Sequence, residues 1–144
     1  MTKRRNVSRT RIVSAAPRAI FDLLADPSKH QLIDGSGTVK GSRTDAPTRL
    51  TLGAKFGMNM KLGVPYPIEN TVVEFDEDRV IAWRHFGGHR WRYELEPVDG
   101  GTKVTETFDW STSKSPAALE LLRVPQRNTA SIDKTLDRLA ARFA

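Results

Sequence analysis

Glu69, Arg84, Tyr93 and Glu106 are the residues whose types and placement could do chemistry in this chain. A guanidinium can meet a developing enolate oxygen, a carboxylate can take the α-proton, and a phenol can donate a hydrogen bond. The parity of the flanking segments puts all four on one largely apolar wall. Burial there raises a carboxyl's pKa toward the range useful for proton transfer, unless Arg84 offsets it. An unpaired buried guanidinium is costly, so Arg84 must find Glu69, Glu106, a carbonyl group or a ligand. A buried Arg–Glu network that only fixes the sheet answers the same need, and Tyr93 also reads as a satisfied core hydroxyl, ahead of a proton donor.

Other chemistries lack their residues. There is no cysteine, hence no thiolate nucleophile, disulfide or Cys-ligated metal. His30, His85 and His89 are the only histidines. His85 and His89 bracket a glycine turn and by parity face opposite sides of the sheet, so no metal and no other cofactor is expected. No Gly-x-Ser-x-Gly elbow occurs, and the glycine pairs are hairpin turns rather than phosphate cradles.

The elements that must hold these side chains follow from periodicity. Residues 54–110 read as five period-2 segments joined by short turns, and residues 116–143 as one long amphipathic helix. A curved antiparallel sheet gripping one helix leaves a pocket between them. Antiparallel partners point to the same side, so the turns set the faces. A two-residue turn at Gly87–Gly88 pairs Phe86 with His89, Arg84 with Trp91, Ala82 with Tyr93 and Val80 with Leu95. The acidic turn at Glu77 and Asp78 places Phe75 opposite Val80, Val73 opposite Ala82, Thr71 opposite Arg84 and Glu69 opposite Phe86. The turn around Gly100 pairs Leu95 with Val104, Tyr93 with Glu106, Trp91 with Phe108 and His89 with Trp110. The wall so predicted offers Phe56, Met58, Met60, Thr71, Val73, Phe86, Trp91, Phe108 and Trp110 to a ligand, with Leu62, Phe75, Val80, Ala82, Leu95 and Val104 completing it. An apolar concavity with a few convergent polar groups suits a hydrophobic small molecule. The other face takes Ile81, Trp83, His85, Arg90 and Arg92, with Trp83 covered by the stem of Arg92.

Ahead of this sheet, residues 7–14 form an edge or near-edge strand, Pro17 opens a helix with Ile20, Phe21, Leu23 and Leu24 on its apolar side, and a second short helix spans about 27–32. A further strand covers residues 38–43. In the last helix Leu121, Val124, Asn128, Ile132, Leu136, Leu139 and Phe143 form the buried stripe, and Pro125 kinks the backbone, either as plain packing or as a portal. The 144 residues fit one domain, 1–144, able to bury roughly 70% of its unfolded surface. Six of the 23 basic residues precede Asp22, so 17 remain to balance 17 acidic ones. The net charge of +6 thus belongs to an arm with no aromatics, which argues against nucleic acid. No apolar run is long enough for a membrane span and no signal peptide is evident, so a cytoplasmic location is expected, as a monomer or homodimer.

Three stretches carry a family resemblance: APRAIFDLLADP at 16–27, IAWR at 81–84 with RWRYEL at 90–95, and GTKVTE at 101–106. Across essentially the full chain they resemble the START/Bet v1-like (SRPBCC) superfamily, in particular its polyketide cyclase/dehydratase-like group. That resemblance implies an α+β helix-grip fold: a curved seven-stranded antiparallel sheet around the long C-terminal helix, with two short helices after the first strand. It also implies a pocket for a hydrophobic or polycyclic ligand. No common catalytic set comes with it, so three readings stay open: a polyketide cyclase/dehydratase-like enzyme using Arg84, Glu106, Glu69 and Tyr93, a non-catalytic lipid or small-ligand carrier, and a protein-interaction module of the Hsp90-modulator kind.

Overall fold

A computed structural model describes residues 4–34, 39–42, 49–62 and 64–144, with the side chains of 31, 39–42, 58–62 and 64–68 excepted. Their order is β1 (Asn6–Val13), α1 (Pro17–Leu24), a 3-10 turn (Pro27–Lys29), α2 (His30–Ile33), β2 (Val39–Ser42), β3 (Lys55–Leu62), β4 (Val64–Asp76), β5 (Val80–His85), β6 (Arg90–Val98), β7 (Gly101–Asp109), α3 (Pro116–Leu121) and α4 (Val124–Arg142). The strands make one antiparallel sheet in the order β1-β7-β6-β5-β4-β3-β2. This is the helix-grip arrangement: α4 lays Ile132, Leu136 and Leu139 into a core shared with Val104, Phe108 and Ile81.

Local chemistry sets the boundaries of the small helices. Pro17 supplies a preset first position to α1, and Ile20, Phe21, Leu23 and Leu24 are all buried. The Asp26 carboxylate then accepts from the Ser28 amide at 3.0 Å, which caps the 3-10 turn that Pro27 opens.

The β6–β7 register is the expected one, with Leu95 opposite Val104, Tyr93 opposite Glu106 and Trp91 opposite Phe108. The β5–β6 register is not. Trp83 faces Trp91, Ile81 faces Tyr93 and Arg84 faces Arg90. The loop between them has three residues, Phe86 to Gly88, closed by the Gly88 amide donating to the His85 carbonyl at 2.8 Å and the His85 amide donating to the His89 carbonyl at 2.9 Å. Gly88 sits at φ +102°, and a Cβ there would lie 2.4 Å from the Thr112 carbonyl oxygen. That glycine allows a three-residue turn, and the single added residue reverses every side chain of β5. Ile81 and Trp83 therefore point inward and are buried, while Arg84 is exposed on the outer face and Phe86 is 61% exposed.

A second correction lies in β4. Thr71 does face Arg84, as expected, but on the outer side, and the ladder slips between Val72 and Glu74. This bulge at Val73 leaves Val72 and Phe75, rather than Val73, on the core side, opposite Trp83 and Ile81. Ala82 and Val80 move outward with β5, where Arg92 bridges Glu74 and Glu94 at 2.7 and 3.0 Å. Trp83 is consequently not the aromatic under the Arg92 stem.

The C-terminal helix is two helices. Pro125 cannot donate to the carbonyl one turn back, and the break falls just before it, at Arg123 in the left-handed region (φ 58°), so Pro125 opens α4 instead of kinking it. Leu121, expected in the buried stripe, is 83% exposed beside Leu122 at 64%. The basic arm also has work to do: Arg5 reaches Glu120 at 3.4 Å, Arg9 reaches Asp133 at 3.4 Å, and Arg11 pairs with Asp137. These ties fasten the edge strand β1 to α3 and α4. Among the described residues, no helix is long and apolar enough to cross a membrane.

Candidate active site

The β6–β7 register sets Tyr93 and Glu106 directly opposite each other on the inner face, and both are buried, at 5% and 3% exposure. The Tyr93 hydroxyl donates to Glu106 Oε2 at 2.9 Å. Glu106 Oε1 is buried and has no hydrogen-bond partner among the described residues. Burial pushes the Glu106 carboxyl up to about 8, the Tyr93 hydrogen bond opposes that rise, and the charges of Asp34 and Asp133 add to it. Burial, and then the adjacent Glu106, likewise holds the Tyr93 phenol above its ordinary range. At neutral pH the carboxyl is thus protonated. Because Oε2 accepts from Tyr93, the proton resides on Oε1, which becomes a donor.

Around this dyad stands an aromatic wall. Trp83 stacks on His30 with centroids 5.1 Å apart and planes 19° from parallel, meets the edge of Phe56 at 5.5 Å, and lies 5.7 Å from Tyr93. His30 Nε2 donates to the Leu24 carbonyl at 2.8 Å, and burial lowers its pKa, so its ring is neutral. Asn70, at 3% exposure, shares the inner parity of Phe56. Farther along, Trp91 packs on Phe108 at 4.8 Å and Phe108 on Trp110 at 5.6 Å, while the Trp110 indole N–H donates to Glu120 Oε2 at 3.0 Å.

The structure splits the expected constellation. Tyr93 and Glu106 come together, with Phe56, Trp91, Phe108 and Trp110 on the same inner face. Arg84 and Glu69 do not join them: with Thr71, Val73, His85 and Phe86 they line an outer-face cleft of about 260 Å³. The three-residue loop put them there, by moving β5 one register step and carrying its partner residues on β4 to the solvent side. Met58 and Met60 sit in β3 opposite Ile68 and Tyr66, but their side chains lie outside the described residues. His85 and His89, expected on opposite faces, stack at 4.3 Å with planes 16° apart, because the same loop sets them across from each other. Burial, helped by the neighbouring His85, lowers His89 to about 4. Among the described residues no cluster of three or more His, Cys, Asp or Glu side chains could hold a metal. Trp83, His30 and Asn70 were absent from the expected wall. A three-residue reading of the Gly87–Gly88 turn would have delivered Trp83, since it gathers Ile81, Trp83, Trp91, Tyr93 and Leu95 on one face.

A family model described as polyketide cyclase/dehydrase and lipid transport matches residues 4–144. Protein Rv0088 of Mycobacterium tuberculosis, described only as uncharacterized, is 38% identical over 96% of this chain, and the chain spans 64% of that relative's length. Among solved structures, the AHSA1-like protein from Aeromonas hydrophila is similar with a TM-score of 0.67 at 20% identity, covering 95% of this chain and 93% of its own. The polyketide-cyclase-like protein Cgl2372 from Corynebacterium glutamicum gives a TM-score of 0.65 at 17% identity, covering 99% and 91%. At those identities the likeness is one of fold.

Proposed function

From a chain that belongs to the polyketide cyclase/dehydrase and lipid transport family, we propose a protein that binds a hydrophobic small molecule between the inner face of the sheet and α4, with the Tyr93–Glu106 dyad as its polar anchor. The unpartnered Glu106 Oε1 carries this reading. A buried polar atom left without a partner costs about 1–3 kcal/mol, and an oxygen on an otherwise apolar guest would supply the partner. Trp83, Phe56 and Phe108 offer flat apolar surface beside it. Native mass spectrometry of protein purified from its own host should find an apolar small molecule retained by the wild type and diminished in Glu106→Leu. A wild type that carries nothing, and whose tryptophan emission responds to no apolar compound, would refute the reading.

The protonated carboxyl favours a second reading of the same site, loss of water from a bound β-hydroxy carbonyl compound. Glu106 would give its proton to the departing hydroxyl as the C–O bond breaks, and the resulting carboxylate would take the α-proton, which restores the starting state. With Arg84 outside, Tyr93 would act through its hydrogen bond to Glu106, holding the carboxyl in place. Turnover should then fall as pH rises through about 8 and vanish in Glu106→Gln, with Arg84→Ala and Glu69→Gln active. Loss of turnover in Arg84→Ala would refute it.

A further inference from the structure

The inner wall is charge-poor in one particular way. Its buried polar residues among those described are His30, Asn70, Thr102, Glu106 and Thr135, and none is a lysine or arginine. His30 is engaged with the Leu24 carbonyl as a neutral ring. Among the described residues, the titratable and charged groups around Glu106 are Tyr93 from β6, Asp133 from α4, Asp34 after α2, and Arg9, which lies opposite Glu106 in register on β1. Arg9 is exposed and directed to Asp133 at 3.4 Å. Among the described residues no buried cation would balance a negative charge brought in by a ligand, and two of the neighbours are acids.

We propose that the ligand presents an uncharged hydrogen-bond acceptor, a ketone, aldehyde, ester or hydroxyl oxygen, to Glu106 Oε1, and that carboxylate ligands such as free fatty acids are rejected. The inference rests on the ligand-binding reading of this site and specifies its guest. Tyr93 is committed to Oε2, so the remaining oxygen offers one donor aimed inward. A ketone oxygen accepts that bond and brings no charge to desolvate. A carboxylate would face a neutral carboxyl within reach of the charges of Asp34 and Asp133, losing its hydration with no buried cation among the described residues in return, since Arg9 is exposed and paired with Asp133. Rejection works by leaving the wrong guest unpaired, the stronger form of discrimination in a buried site.

The test uses a matched pair of equal shape, 2-acetonaphthone and 2-naphthoate, titrated into the ¹⁵N-labelled full chain with the Trp83 indole resonance as reporter. At pH 6.5 the ketone should bind at least tenfold more tightly than the carboxylate. Raising the pH beyond about 8 removes the donor and should weaken the ketone several-fold. Glu106→Gln keeps a neutral donor, so it should retain the preference and lose the pH dependence. Naphthoate binding within tenfold of the ketone at pH 6.5 would overturn the inference while leaving the ligand site standing. PH dependence that persists in Glu106→Gln would overturn the assignment to Glu106. Failure of both compounds to bind up to their solubility limits would refute the ligand-binding reading itself.

Discussion

Replacing Glu106 by glutamine is expected to stabilise the protein at neutral pH and to have little effect near pH 4.5. The folded carboxyl titrates at about 8 against an ordinary 4.5, so between those values the unfolded chain has lost a proton that the folded chain keeps. Stability from this group is fully present below 4.5 and declines as pH rises through the folded value, where the decline levels off. At pH 7 the window already crossed, at 1.36 kcal/mol per unit, amounts to roughly 3 kcal/mol. Glutamine has no proton to lose, still accepts from the Tyr93 hydroxyl, and places its NH₂ where Oε1 stood. Any packing cost of the exchange is the same at every pH, and all other titrating groups cancel between the two proteins. Urea unfolding followed by tryptophan fluorescence at pH 4.5, 6, 7 and 8 measures the difference directly. For a slope near 2 kcal/mol/M the midpoint of Glu106→Gln should lie about 1.5 M higher than wild type at pH 7. A difference that is constant from pH 4.5 to 8 would show that Glu106 is ionised in the folded protein, and the donor argument would go with it.

Arg84→Ala should change stability by no more than about 0.5 kcal/mol and leave binding of 2-acetonaphthone unaltered, since the side chain is exposed on the outer face; calorimetric melting checks the first and the indole titration the second. Gly88→Ala should cost more than about 2 kcal/mol, because positive φ is joined by a Cβ 2.4 Å from the Thr112 carbonyl oxygen, whereas Gly100→Ala, with nothing within 4 Å, should cost about 1 kcal/mol for its φ alone. Equal losses in denaturant melts would remove the steric part of that account. His89 should titrate near 4 by ring-proton NMR, so the stability it lends above its ordinary value of 6.5 is lost as pH falls toward 4; a midpoint at 6 or above would contradict its burial against His85 and Phe108.

How much of this was legible in the sequence differs from hairpin to hairpin. The β6–β7 pairing, and with it the Tyr93–Glu106 encounter, followed from parity across the turn at Gly100, and that turn has the expected length. The β5–β6 pairing failed because Gly87–Gly88 can close two or three residues, and the longer loop is held by a distant segment, where the Thr112 hydroxyl donates to the Gly88 carbonyl and the Lys114 amide to the Gly87 carbonyl. One residue then reversed Arg84, Trp83 and Ile81 together. A cue was present in the faces: Ile81 and Trp83 belonged with Tyr93 and Leu95, and Arg84 belonged with Arg90 and Arg92. The bulge at Val73 has no local signature, since Val72 and Val73 are identical side chains and tertiary packing selects between them. The break before Pro125 was legible as a disturbance but not as a stop, because a left-handed Arg123 is a choice made by the surrounding fold. The overall architecture survived these errors because the family likeness and the strand count do not depend on which way any one strand faces.

The strand at the sheet's edge carries a kinetic consequence. Among the described strands β1 pairs with β7 alone, and the Ser8–Thr107 hydroxyl contact joins residues 99 positions apart. Synthesised ahead of the rest of the sheet, this segment lacks its native neighbour until β7 has been made, and Arg9 and Arg11 lack their acidic partners until α4 follows. Closing so long a loop delays the reward in contacts, so the order of synthesis and the order of assembly run against each other, and the residues of β1 wait unpaired until the strand and helix that hold them have been made.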